Sequence, residues 1–183
     1  ALAYLQKRRI ADEEALAAFK IGFVDRTLGL RLPQKNRREG ASLRARLQKL
    51  GIIRETGHEH MRGRLVFPVI AENGEVGAVY GRAVMDDGPK ETRHLYLPGP
   101  RRGLWNPAAL RSRELILCES IIDALTFWCA GFRHVTAAYG VEGFTEEMEE
   151  AIVAAKVERV LVAFDRDDAG EAGAKKAAAR LAA

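Results

Sequence analysis

Cysteine is nearly missing from this chain. Only Cys118 and Cys129 occur among 183 residues, eleven positions apart, which excludes a disulfide framework and fits a reducing compartment. With no Cys-x-x-Cys or Cys-x-x-His pair, no zinc site is expected within these residues. Both cysteines lie in apolar runs and read as core residues. Long apolar runs are missing too. None nears the roughly 18 residues that would span a bilayer, and the opening ALAYLQKRR lacks the layout of a signal peptide. A cytoplasmic protein with no membrane partner is expected. No internal repeat is visible. The chain opens without Met and closes inside an Ala-rich helical pattern, so it reads as part of something larger.

What is present is charge, unevenly spread. The net charge is +4 and the pI about 9.2. The basic clusters RRI, QKNRREG, RARLQK, MRGR, TRH and GPRRG all precede residue 114, and the acidic clusters come mostly later. A basic half joined to a half with clustered carboxylates suits a polyanion whose phosphates also need a divalent metal.

The periodicity divides the same way. Residues 1–20 predict a helical hairpin with Asp12 as an N-cap, and residues 41–50 a helix with Leu43, Leu47 and Leu50 on one face and Gly51 closing it. Residues 25–40 and 86–107 read as loops. Between them, 64–70 and 75–82 predict strands joined by Glu72-Asn73-Gly74, a strong hairpin signal. From 114 onward the pattern is β-α-β-α-β-α: strands at 115–118, 135–138 and 160–164, and helices at 120–130, 145–156 and from about Ala169. The fold class is therefore α/β, an α+β N-terminal part (1–110) followed by a parallel sheet with right-handed crossovers (111–183).

Open parallel sheets place ligand sites at the carboxyl ends of their strands. Glu119 follows the first of these strands, and Asp165 and Asp167 follow the third. Asp123 lies one helical turn beyond Glu119, on the same face. Four such carboxylates repel one another unless a cation is present. Mg²⁺ takes oxygen ligands and shares its shell with substrate phosphates. Asp168 admits a second reading, as the N-cap of the last helix.

LILCESIIDAL followed by VLVAFDRDDAG resembles the two signature motifs of the Toprim domain, which is shared by DnaG-type primases, topoisomerases and several nucleases. Glu119 matches its strand-end glutamate and Asp165 and Asp167 its DxD pair, while Asp123 matches an acid typical of the primase branch. The turn at Ala138-Tyr139-Gly140 is similar to that family's SLGT turn. Upstream, YLQKRRIADEEALAAFKIGFV and RLVFPVIAENGEVGAVYGRAV resemble the N-terminal half of the primase core, with Arg64 and Arg82 the best-matched basic residues.

The resemblance implies a Toprim fold, C-terminally truncated, in which Glu119, Asp123, Asp165 and Asp167 are catalytic. Glu119, Asp165 and Asp167 would hold Mg²⁺ or Mn²⁺, and Arg64, Arg82, Lys90, Arg93, Arg101 and Arg102 would contact nucleic acid or nucleotide. The implied activity is RNA primer synthesis from NTPs on single-stranded DNA, nucleoid-associated, with a replicative helicase as a further partner through other regions. A Toprim nuclease and a non-catalytic single-stranded-DNA-binding module are the competing expectations. DGPKETRHLYLPGPRRGLWN is shorter and rearranged relative to the primase pattern, and Arg166 and Asp168 depart from it. These differences suggest a divergent phage or mobile-element branch.

Overall fold

The computed structural model describes residues 1–85, 89 and 92–182. It contains two sheets that share one continuous apolar core. The first is antiparallel, in the order β1 (Gly22–Phe23), β2 (Arg64–Ile70), β3 (Val76–Ala83), β4 (His94–Tyr96). β2 and β3 form the predicted hairpin, and Gly74 supplies the positive φ of its turn. Side chains alternate across β2: Leu65, Phe67 and Val69 are buried while Arg64, Val66 and Pro68 are half-buried on the outer face. Helices α1 (Leu2–Lys7) and α2 (Glu13–Ala18) lead into this sheet, and the Asp12 side chain accepts from the Ala15 amide at 2.8 Å as an N-cap.

Regular elements occur in both expected loops among the described residues, β4 in the second of them. Residues 25–40 contain a short helix, α3 (Leu28–Arg31), and α4 begins earlier than expected, at Arg38, ending at Lys49. Gly40 is why α4 reaches back so far: a Cβ there would lie 2.2 Å from the Gln34 carbonyl oxygen. Strands β1 and β4 escape the periodicity because two or three residues are too few to show it.

The second sheet is parallel, in the order β6 (Val135–Ala137), β5 (Glu114–Cys118), β7 (Arg159–Ala163). Helices α5 (Ile121–Cys129), α6 (Glu146–Ala154) and α7 (Asp168–Leu181) alternate with the strands. Ser120 and Thr145 cap α5 and α6 through hydrogen bonds from the amides three residues on. Central strand β5 is buried from Leu115 to Cys118, as expected for a strand covered on both faces. Asn106, at φ 56, joins the halves by donating from its Nδ2 to the carbonyls of Arg133 and Val135 at 3.0 and 2.8 Å. Among the described residues no helix is long and apolar enough to cross a membrane.

Candidate metal and nucleic-acid site

The parallel register sets Cys118 beside Ala137 on one side and Ala163 on the other, so all three strands end together. Glu119 leaves β5 at that edge and Asp165 follows β7 two residues after Ala163. The Glu119 carboxyl is held above its ordinary range, first by burial and then by the charges of Asp165, Asp123 and Asp167, against a lowering contact from the Asp165 backbone amide. The four predicted acids therefore share one electrostatic neighbourhood. Glu119 Oε2 is buried and accepts no hydrogen bond from any described residue.

Two of the acids already have structural partners. Ser120 Oγ donates to Asp123 Oδ2 at 2.5 Å and accepts from the Asp123 amide at 3.3 Å, which fixes that carboxylate at the start of α5. Asp167, rather than Asp168, caps α7: its Oδ1 accepts from the Gly170 amide at 2.8 Å. Gly170 permits this tight loop, since a Cβ there would fall 2.1 Å from the Asp165 carbonyl oxygen. Asp168 and Arg166 are exposed, and Arg166 makes no ion pair with any described residue. The all-oxygen donor set and the orphaned Glu119 Oε2 fit a hard divalent cation in chemistry. The cage is open, because no three Asp, Glu, His or Cys side chains among the described residues are grouped closely enough to hold a metal.

Beside the acids lies a basic network that β3 and β4 assemble. Arg82 pairs with His94 in the sheet register and is buried on the core face. Its Nε donates to Tyr4 Oη at 3.0 Å and its guanidinium contacts His94 Nε2. The other ring nitrogen, Nδ1, lies 2.8 Å from Tyr80 Oη. Burial, then the Arg82 charge, lowers the His94 pKa, while Asp123 opposes the shift. An imidazole accepting from Arg82 through Nε2 is neutral, with its proton on Nδ1 facing Tyr80. Sequence reading did not single out Tyr4 or Tyr80 as functional, and took His94 only as a source of positive charge. Of the three only His94 faces Arg82 across strands, which requires the β3–β4 register, while Tyr80 precedes Arg82 by two residues on β3 and α1 brings Tyr4 to it.

The remaining basic candidates separate. Arg64 stands opposite Ala83 and Arg82 opposite Leu65, so the pleat sends the two arginines to opposite faces of the sheet. Arg64 donates to the carbonyls of Arg62 and Thr92 at 3.1 and 2.7 Å. Arg101 lies over the Tyr96 ring, 4.3 Å from its centroid, and donates to the Tyr139 carbonyl at 3.2 Å. Tyr139 Oη in turn donates to the carbonyls of Arg102 and Gly103 at 2.8 and 2.9 Å, strapping this loop onto the parallel sheet. The Arg102 side chain is exposed and Arg93 is half-buried beside β4. Lys90 lies outside the described residues.

The chain is similar to known primases. A family described as "DNA primase catalytic core, N-terminal domain" matches residues 1–105, and one described as "Toprim-like" matches 116–183. A DNA primase of Listeria innocua is 28% identical over 208 residues, covering 99% of this chain and 30% of its own length. One of Halalkalibacterium halodurans is 26% identical, covering 91% and 29%. This chain thus spans about 30% of those curated relatives. A DNA primase domain from Pseudomonas aeruginosa superposes with a TM-score of 0.73 at 26% identity, covering 98% of this chain and 57% of its own. A DnaG primase catalytic domain bound to single-stranded DNA superposes at 0.74 with 24% identity, covering 96% and 58%.

Proposed function

The chain belongs to the DNA primase catalytic-core family, and from that premise we propose that it carries a divalent-metal site for RNA primer synthesis from NTPs on single-stranded DNA. The observation that carries the proposal is Glu119: a buried carboxylate oxygen with no hydrogen bond from any described residue, among three further acids, beside buried Arg82. Residues 1–110 are the basic nucleic-acid-binding part, and 111–183 the Toprim part.

Glu119, Asp165 and Asp167 would hold Mg²⁺ or Mn²⁺, which when bound screens phosphate charge and aligns a 3′-hydroxyl with a nucleoside triphosphate. Asp123, fixed by Ser120, sets the field between that cluster and His94. As the 3′-oxygen bonds to the α-phosphorus, pyrophosphate leaves and the hydroxyl proton would pass to solvent, with Glu119 kept as a metal ligand. Arg82, held by Tyr4 and His94, would contribute a fixed positive charge near the phosphates. Arg64, Lys90, Arg93 and Arg102 extend the positive field along the strand. Arg101 contributes by fixing the loop between the two parts. A helicase contact would lie in regions outside this chain.

The test is primer synthesis on single-stranded DNA with labelled NTPs, comparing wild type with Asp165→Ala. Product from wild type, reduced about 100- to 1,000-fold in the variant as for loss of a transition-state charge partner, supports the proposal. Degradation of the template in place of synthesis contradicts it and favours a nuclease.

A further inference from the structure

The turn that follows β6 is tied to the backbone of the carboxylate edge. Past Ala137 the Ala138 amide donates to the Cys118 carbonyl at 2.8 Å, and the Gly140 amide to the Glu119 carbonyl at 3.1 Å. The Tyr139 amide donates to the Gly143 carbonyl at 3.2 Å, and a Cβ on Gly143 would lie 2.3 Å from the Tyr139 carbonyl carbon, so the turn closes tightly. Helix α7, capped by Asp167, packs on the same turn: a Cβ on Gly173 would fall 2.7 Å from the Val141 carbonyl oxygen. Residues 138–143 thus brace both the backbone of Glu119 and the helix that Asp167 begins.

The Tyr139 side chain reaches the other way, into residues 96–103. It is buried, and its ring meets Tyr96 edge-on with centroids 5.7 Å apart. Its Oη shares one proton between the Arg102 and Gly103 carbonyls, and burial raises the phenol pKa, so the donor is kept. Arg101 returns the contact by donating to the Tyr139 carbonyl. The Gly103 amide donates to Glu147 Oε1 at 3.1 Å, and a Cβ on Gly77 would lie 2.5 Å from the Arg102 carbonyl oxygen, so α6 and β3 both back the loop. Tyr139 is therefore one hydrogen bond from the loop that bears Arg102 and one residue from the amide that holds Glu119. The SLGT turn that this one resembles has leucine in its place, which fills the space but offers no donor.

We propose that Tyr139 is a positioning residue that makes single-stranded DNA and a divalent cation bind cooperatively, by fixing the Arg102 loop in register with Glu119. The inference rests on the proposed metal site and DNA partner and adds the link between them. Acids that already repel one another also repel an arriving phosphate, and a cation among them reverses that sign. The attraction decays with distance, so it is strongest when the phosphate is held at one place relative to the acids. A loop free to shift by about an ångström loses much of that benefit. Tyr139 itself acts only through the loop and through the Gly140–Glu119 bond.

The test measures the binding of labelled oligo-dT of about 16 nucleotides by fluorescence anisotropy, in EDTA and in saturating Mn²⁺ at matched ionic strength. Wild type is compared with Tyr139→Phe, Tyr139→Leu and Thr136→Val. The Thr136 hydroxyl also bonds across the two halves, to the Trp105 carbonyl, but from inside β6 rather than from the turn, so its variant controls for the loss of any such bond. Wild type should bind at least about 5-fold more tightly with Mn²⁺, a usual size for coupling between sites. Both Tyr139 variants should bring that ratio to within about 2-fold of unity, while Thr136→Val keeps it. Folding is checked by circular dichroism, and Mn²⁺ uptake without DNA by the rise in melting temperature. A ratio unchanged in the Tyr139 variants, or lost equally in Thr136→Val, overturns the inference. So does a wild type that takes up both metal and strand without coupling, which leaves the primer-synthesis proposal standing. A wild type whose melting temperature Mn²⁺ does not raise overturns the metal site and the coupling with it.

Discussion

The two ends of the parallel sheet are built from the same residue types and treat them oppositely. At the strand starts both acids find an arginine: Glu158 pairs with Arg113 at 2.9 Å, and Glu114 with Arg159. At the strand ends Glu119 meets Asp123, Asp165 and Asp167 with no cation of a described residue paired to it, and its pKa rises, first through burial. A fold under pressure for stability alone would neutralise both ends. Leaving one end unneutralised costs stability, which cation binding at the proposed metal site would offset. The antiparallel sheet shows the complementary imbalance, with Arg64 on its outer face making no ion pair with a described residue.

The largest expected effect lies between the two sheets rather than at either end. Leu117 is fully buried in β5, so Leu117→Ala should cost about 2–5 kcal/mol of unfolding free energy, read by denaturant or thermal melts. Val66, half-buried on the outer face of β2, should cost roughly 1 kcal/mol when replaced by Ala. Equal losses would mean that the antiparallel sheet is as enclosed as the parallel one.

The strand-end imbalance predicts a pH effect with a definite sign. A carboxyl whose folded pKa lies above its unfolded value binds protons more tightly in the fold, so stability falls as pH rises past the model-peptide value of 4.5. Glu119→Gln removes that charge. In the absence of divalent cations it should raise the melting temperature at pH 7.5 and change it little at pH 4. Adding Mg²⁺ should stabilise wild type and leave the variant behind. A melting temperature lowered by Glu119→Gln at pH 7.5 without metal would mean that the carboxylate is paired in the fold after all.

The strand starts should respond least. Arg113 and Glu158 are mostly exposed, so Arg113→Ala should change stability by no more than about 0.5–1 kcal/mol. A larger loss would mark that pair as structural and weaken the contrast with the other end.

Much of this was legible in the order of residues. Period-3.6 and period-2 patterns located the β2–β3 hairpin and all three parallel strands within a residue or two, because those elements bury one or both faces regularly. Caps were legible where Asp12 and Thr145 precede acidic first turns, whereas Ser120, which reads as the first helical residue, caps α5 instead. The α7 cap was misplaced by one residue, because Asp167 and Asp168 are chemically identical candidates and only the close approach of Gly170 to Asp165 chooses between them. The opposite facing of Arg64 and Arg82 depends on cross-strand register, and the Arg82–His94–Tyr80 network needs a three-residue strand with no periodicity of its own. Arg101 looked like a free cation until Tyr96 and Tyr139 were brought to it by long-range folding.

The central claim, that the strand-end acids are left unpaired in order to take up a divalent cation, is tested most directly by soaking crystals in Mn²⁺ and collecting anomalous scattering. An anomalous peak within about 3 Å of carboxylate oxygens of Glu119 and Asp165, consistent with oxygen ligands at about 2 Å, is the predicted result. Strong Mn²⁺ peaks elsewhere with none at these acids would contradict it.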